Sequence, residues 1–328
     1  MDIRKTIKEW MLPIAMLSGA SLYLGYHVLP GPVHKVGPLL EGILGLIQPM
    51  LIFSMLFLTF CRIEPKELKP HRWHWWLLLI QGGSFTVLGV GAWLLMQHMP
   101  EGNKDWMVLI ESAMLCLICP TATAAAVVTR KLGGDVPGIT TYVVLINMVT
   151  ATLVPLVIPL IRPMAGIDFW AAFSMILARI FPLFILPCIL AWMVRYMSPR
   201  IYRKIKKYPD LAFYLWAIAL TFAIAVTARS IVKSDLSLKI LLLMSLISLV
   251  CCTFQFSAGR YIGSCYHPSE IKKITAGQSL GQKNTVFAIW MAYTFMTPET
   301  AIVGGLYSIW HNIYNSWQLR RAMKNNQT

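Results

Sequence analysis

Long apolar stretches follow one another along almost the whole chain, and short polar segments separate them. A helix needs about 20 apolar residues to cross the hydrocarbon core of a bilayer, and each stretch has about that length. The first stretch follows a charged N-terminal segment, as in a signal peptide, but it is too long for one and is interpreted as the first span. The pattern predicts an all-α integral membrane protein with ten transmembrane helices, at residues 10–30, 38–60, 75–98, 107–129, 136–161, 170–194, 210–228, 239–258, 270–296 and 299–319.

The composition agrees with a chain that lies mostly in a membrane. Hydrophobic residues make up 57% of it and charged residues only 13%, whereas a soluble domain carries about 25% charged residues. The ten spans and their short loops use up the 328 residues. We therefore expect residues 1–328 to form a single transmembrane domain.

Positive charge is distributed unevenly between the two sides of this topology. Of the 29 lysines and arginines, 21 fall in segments on the side of the N-terminus, 6 fall on the other side, and 2 (Arg179 and Lys283) lie within spans. Lysine and arginine concentrate in cytoplasmic segments of membrane proteins. We therefore expect an inner or plasma membrane protein with both termini cytoplasmic, and the net charge of +15 requires no nucleic acid partner.

The chain divides into two halves of five spans, about 1–162 and 170–319, joined by the basic cluster at residues 200–207. Because five is an odd number, the second half would run upside down relative to the first, as in the inverted repeats of many secondary transporters. The fourth span of each half is weakened, by Pro120 in the first and by Gly277 and Gly281 in the second. Backbone groups freed at such breaks must face protein or a watery cavity, which predicts that broken helices 4 and 9 cross.

Lys283 is the most unusual residue, because it places a charge near the middle of span 9. Such a charge costs at least about 2.5–3.5 kcal/mol and should face the protein interior. One interpretation is a site that binds an anionic substrate or exchanges a proton during transport. The alternative is a structural cation tied to helix ends and carbonyl groups.

Other polar residues within the spans are weaker candidates, since interhelical hydrogen bonds explain each of them singly. Arg179, Glu41 and Glu111 lie inside span limits, and either glutamate could pair with Arg179. His311 lies at helical spacing from Tyr307 and Asn315, so the three share one face. The predicted substrate or coupling residues are Lys283, Asn284, Gln282, Ser279, Gln81, Thr121, Thr123, Pro120, His311 and Asn312.

Five features together resemble the bile acid:sodium symporter family and its superfamily, which includes arsenite exporters. They are the segment Ile63-Glu64-Pro65-Lys66-Glu67-Leu68, the Cys119-Pro120 break, the long basic middle loop, the Gly281-x-x-Asn284 break and Ser308-Ile309-Trp310-His311-Asn312. The resemblance implies ten helices, a panel domain and a core domain. It also implies alternating access for organic anions, usually driven by sodium.

The chain departs from this family where the family binds its two sodium ions. In the fourth helix the family's Ser-Asn pair corresponds to Ala125 and Ala126, which offer no side-chain oxygen, and in the ninth its glutamate and glutamine correspond to Ser279 and Lys283. Gln81 is the one side-chain ligand that remains. An ammonium group in the second site would repel sodium, so we expect a sodium-independent transporter, either a uniporter or exchanger or one coupled to protons through Lys283.

Several other functions are less consistent with the sequence. An enzyme needs an acid, base or metal cluster at one membrane face, and the histidines are joined by no acidic cluster. Cys116 and Cys119 are three residues apart with no second pair at that spacing, so no metal or other cofactor is expected. A membrane sensor and a channel are the remaining alternatives. The expected partners are the lipid bilayer and a small organic anion. The many methionines predict an apolar lining, which suits an amphipathic organic acid.

Overall fold

The computed structural model describes residues 3–29, 37–98, 104–208, 210–266 and 268–325, and the regular structure there is helical. A short 3-10 turn, Pro65–Glu67, lies between the second and third α-helices. The helices are α1 (Ile3–Val28), α2 (Gly37–Phe60), α3 (Arg72–His98), α4 (Lys104–Ile118), α5 (Ala125–Lys131), α6 (Val136–Ile161), α7 (Phe169–Met197), α8 (Pro199–Lys207), α9 (Leu211–Lys233), α10 (Leu238–Tyr266), α11 (Glu270–Gly281), α12 (Thr285–Phe295) and α13 (Pro298–Asn325).

Within the described ranges, five helices are long and apolar enough to cross a membrane, namely α3, α6, α7, α9 and α10. The ends of α3, α6 and α7 lie within three residues of the predicted span ends, while α9 and α10 continue one to two turns beyond theirs. The predicted spans 107–129 and 270–296 are each divided into two shorter helices, α4 with α5 and α11 with α12. The chain is therefore an all-helical, multi-pass membrane protein.

The two interruptions occur where the sequence predicts them. Helix α4 ends at Ile118, just before Pro120, whose missing amide hydrogen and ring are incompatible with a continuing helix. Helix α11 ends at Gly281, and Asn284 begins α12 as its N-cap, its side-chain oxygen accepting a hydrogen bond from the Phe287 amide at 3.2 Å. The first interruption leaves six residues of extended or turn structure between its helices, at 119–124, and the second leaves three, at 282–284.

Close helix contacts depend on small residues, as is usual in membrane proteins. Helix α1 packs on α9 at Gly19, where a Cβ atom would overlap the Thr221 carbonyl oxygen. Helix α11 packs on α10 at Gly281, where a Cβ atom would overlap the ring of Phe256. Helix α6 is the most enclosed of the five candidate spans, and it packs against one helix of each broken span, α5 and α11.

Ion pairs tie both ends of α6 to the broken helices. At its first end, Lys272 of α11 donates a hydrogen bond to Asp135 at 2.6 Å, and the Asp135 amide donates to Thr275 at 2.8 Å. Burial tends to raise the pKa of Asp135, but the Lys272 ammonium and the Gly138 amide hold it below its usual value. At the other end, Arg162 pairs with Glu111 of α4 at 2.5 Å.

Candidate functional site

The two interruptions meet and pair as a short antiparallel bridge between Thr121 and Lys283. The Ala122 amide donates to the Gln282 carbonyl at 3.0 Å, and the Asn284 amide donates to the Pro120 carbonyl at 2.8 Å. Backbone groups that the broken helices leave free are thus satisfied by each other, as a membrane interior requires. The predicted meeting of the two breaks is present, and we call residues 119–122 and 281–284 the crossing.

Side chains from other helices cover the last carbonyl groups of α4. A helix leaves its final four carbonyls without partners inside the helix, and the break at Pro120 puts these in the protein interior. The pairs are Gln255 with Cys116 at 3.1 Å, Lys283 with Leu117 at 3.2 Å, Gln81 with Ile118 at 3.1 Å and with Cys119 at 2.8 Å, and Thr150 with Ile118 at 3.2 Å. The end of α4 is therefore closed by donors from α3, α6, α10 and the crossing.

Lys283 is almost fully enclosed, with 1% of its surface exposed. Its ammonium group donates to the Leu117 carbonyl and lies at the negative end of the α4 dipole, where cations are favoured. The ion pairs found within the described part of the chain do not include it. Lys283 is thus a buried amine whose described partner is a carbonyl group and not a carboxylate.

Little open space remains beside Lys283 in this conformation. A void of about 10 Å³ lies next to it, bordered also by Cys116, Cys119 and Tyr307. That is about the space that one water molecule needs. A solute can reach the ammonium group only if the helices around the crossing separate.

Gln81 turns its amide nitrogen, not its oxygen, towards the crossing. The carbonyls of Ile118 and Cys119 can only accept hydrogen bonds, so the group that faces them must be the NH₂. The Gln81 oxygen accepts a hydrogen bond from the Tyr142 hydroxyl at 2.8 Å. Gln81 therefore acts as a donor to α4 here, whereas a sodium ion would need its oxygen.

The other predicted residues of the two breaks lie at or beside the crossing. The Thr121 hydroxyl donates to the Ser279 carbonyl at 2.5 Å, and both residues are buried. The Ser279 hydroxyl and the Gln282 side-chain oxygen are buried without a partner among the described atoms. Thr123 is half-buried in the turn before α5, while Ala125 and Ala126, the first two residues of α5, present only methyl groups.

The polar residues of α13 separate onto two faces. Tyr307, His311 and Asn315 are buried on one face, as their spacing predicts, and the Tyr307 hydroxyl donates to the Gly281 carbonyl at 2.8 Å. His311 is buried beside Tyr307, with 5.7 Å between the ring centres. Asn312 lies on the other face and donates to the Ser308 carbonyl at 2.6 Å, so it does not reach the crossing.

Of the two glutamates that could pair with Arg179, Glu111 has other partners. Glu111 is fully buried, and its two oxygens accept from Arg162 at 2.5 Å and from Thr300 at 2.6 Å. Arg179 is exposed on α7, away from the crossing. The side chain of Glu41 lies outside the described atoms, so the possibility that it pairs with Arg179 stays open.

Two residues of the site escaped the sequence analysis. Gln255 connects the Cys116 carbonyl with the Tyr307 hydroxyl, at 3.1 Å each, and Tyr142 orients Gln81. An uncharged glutamine within a long apolar span was the available signal for Gln255. Tyr142 carried none, because tyrosines are common near the ends of membrane helices.

The sequence pattern of the sodium bile acid symporter family matches residues 49–235, more than half of the chain. The match includes Gln81 and the Cys119-Pro120 break but ends before Lys283. No curated protein matches the chain. The helical fold, with several helices long and apolar enough to cross a membrane, agrees with the family match. The chain belongs to the sodium bile acid symporter family, whose members are membrane transporters of organic anions and other solutes.

Proposed function

We propose that the protein moves a small organic anion across the membrane by alternating access, without the two sodium ions of its family. Lys283 takes the place of a bound cation at the crossing. The observation that carries the proposal is the buried Lys283 ammonium group at the end of α4, 3.2 Å from the Leu117 carbonyl. A fixed positive charge there repels sodium and attracts an anion.

The surrounding groups support the absence of sodium. Sodium binding needs several oxygen atoms, but the Gln81 amide directs its NH₂ towards the crossing. Ala125 and Ala126 contribute no side-chain oxygen at the start of α5. A carboxylate that could offset both Lys283 and a sodium ion is absent from the ion pairs of the described residues.

The proposed architecture has ten spans in two inverted halves, about 1–162 and 170–319, with a panel and a core domain and both termini cytoplasmic. It is supported by interruptions in the fourth span of each half. The two ion pairs at opposite ends of α6 support it further, since one reaches α4 and the other reaches α11. Movement of the core against the panel would then expose Lys283 to each side in turn.

Transport measurements in proteoliposomes test the proposal. A panel of radiolabelled organic acids is offered with a sodium gradient, with a proton gradient and with neither, to the wild type, Lys283→Gln and Lys273→Gln. Lys273 is a matched control because it belongs to α11 but pairs with Glu270 near the surface. We expect the wild type to take up a solute at the same rate with and without a sodium gradient. Lys273→Gln should retain this uptake, and Lys283→Gln should lose it.

The variant Lys283→Arg separates a fixed cation from a proton carrier. Arginine keeps the positive charge but does not release its proton in proteins. If Lys283 is a fixed cation, the variant keeps solute exchange. If Lys283 carries the coupled proton, uptake driven by a proton gradient is lost. Uptake driven by sodium in the wild type would contradict the proposal and identify a sodium-coupled symporter of organic anions with unfamiliar ligands.

A further inference from the structure

A groove of about 390 Å³ runs between α1 and α13 and lies apart from the crossing. Met16 forms its wall on α1, while Asn312 and five further residues of α13 form the rest. Both helices pack on α9. The groove therefore separates a helix of the first half of the chain from a helix of the second half.

The wall on α13 is apolar along most of its length. The exposed fractions of Ile309, Ile313 and Trp317 are 40%, 55% and 52%, and all three line the groove. Residues four apart lie above one another on a helix, so these side chains form one stripe. In a membrane such a stripe is covered by acyl chains or by protein.

The stripe ends in polar groups on the side of the α13 C-terminus. Ser316 and Arg320 line the groove there, and Arg320 is exposed, with no carboxylate among its described neighbours. Arg321 lies over the Trp317 ring, 5.7 Å from its centre. A tryptophan followed by arginines is typical of the level at which a helix leaves the hydrocarbon and enters the headgroup region.

The length of the groove fits one leaflet of a bilayer. Eleven helical positions separate Ile309 from Arg320, which corresponds to about 16 Å along the axis. Half of the hydrocarbon core of a bilayer is about 15 Å thick. With Arg320 at headgroup level, Ile309 lies near the bilayer midplane, where an acyl chain ends.

We propose that this groove binds one anionic phospholipid of the cytoplasmic leaflet. The headgroup phosphate lies on Arg320, which offers the paired donors that phosphate oxygens prefer. One acyl chain lies along Ile313 and Ile309 against Met16. Such a lipid joins α1 to α13 and so joins the two halves of the chain, whichever solute the protein carries.

Lipid retention measured by native mass spectrometry tests this site. The protein is reconstituted into nanodiscs of equal parts phosphatidylglycerol and phosphatidylcholine, and is then released into mild detergent. We expect the wild type to retain one phosphatidylglycerol, preferred about fivefold over phosphatidylcholine for one basic contact. Arg320→Gln should bind the two lipids equally, and Ile313→Trp, which fills the groove from an exposed position, should retain neither.

Lys66→Gln is the matched control, since Lys66 is exposed, does not line the groove and lies on the same side as Arg320 in the proposed topology. It should keep the preference of the wild type. Equal retention of both lipids by the wild type would overturn the proposal, as would an unchanged preference in Arg320→Gln or an equal loss in Lys66→Gln. The assay contains no transported solute, so its result does not depend on the proposed transport function.

Discussion

Replacement of Lys283 by methionine separates a functional cation from a structural one. Methionine has a similar length and no charge, so it fills the same space beside the crossing. Lys283 is buried to 1% exposure, and its described hydrogen bond goes to the Leu117 carbonyl at 3.2 Å. We expect Lys283→Met to abolish transport while it leaves the stability of the protein almost unchanged.

The expected stability follows from opposing contributions. Loss of the charge removes a desolvation cost of several kcal/mol, which a buried ion incurs. It also removes a hydrogen bond from a charged donor, worth about 1.5–3 kcal/mol, and an attraction to the negative end of α4 of up to about 2 kcal/mol. These contributions are similar in size and opposite in sign, so we expect the free energy of unfolding to change by less than about 1 kcal/mol.

Thermal unfolding in detergent, followed by intrinsic fluorescence, measures this change next to the transport assay. A change of 1 kcal/mol corresponds to about 2 °C for a chain of this size. Lys273→Met, a substitution near the surface, reports the effect of the new side chain alone. If Lys283→Met lowers the melting temperature by more than about 5 °C, the lysine is a structural cap of α4, and the reasoning above is wrong.

Three further substitutions test the packing around the crossing. Gln81→Leu leaves the Cys119 carbonyl without its described donor and should lower the free energy of unfolding by about 1–3 kcal/mol, measured by thermal unfolding; an unchanged melting temperature would contradict this role. Gly281→Ala should cost about 1–3 kcal/mol or more, because its Cβ atom meets the Phe256 ring, and a second change, Phe256→Leu, should restore part of the loss, whereas no restoration would contradict the overlap. Asp135 has a lowered pKa, so its ion pair contributes stability above the unfolded-state pKa and loses it as the pH falls through the folded value. Asp135→Asn should therefore lower stability at pH 7 by up to about 1 kcal/mol and flatten its dependence on pH below 5, and parallel pH profiles for the two proteins would refute the assignment.

Most of the helix boundaries could be predicted from the sequence. The predicted span 136–161 coincides with Val136–Ile161, and the break beside Pro120 follows from the chemistry of proline alone. The break after Gly281 is less certain in sequence, because glycine weakens a helix without ending it. The structure shows that α11 ends at this glycine. It also shows that a larger residue would not fit there, because a Cβ atom would overlap the Phe256 ring of α10.

The candidate site could be predicted only in part. Lys283 was identified because a charge in an apolar stretch is costly wherever the helix goes. Its partner, the Leu117 carbonyl, was not predictable, because a backbone carbonyl has no signature in sequence and lies 166 positions away. The partner of Glu111 was left open for a related reason: Arg162 and Thr300 lie at helix ends whose spatial order depends on how the helices pack.

The class of protein, the order of the helices and the location of both breaks are local properties, since each depends on residues within one turn or one span. They are therefore encoded in the hydrophobic pattern and in single residues such as Pro120. Which donors close the end of α4, which way the Gln81 amide points and which face of α13 turns inward depend on contacts between segments far apart in the chain. Only the packed structure decides these, because the same glutamine or histidine satisfies its hydrogen bonds equally well with any neighbour that the fold brings within reach.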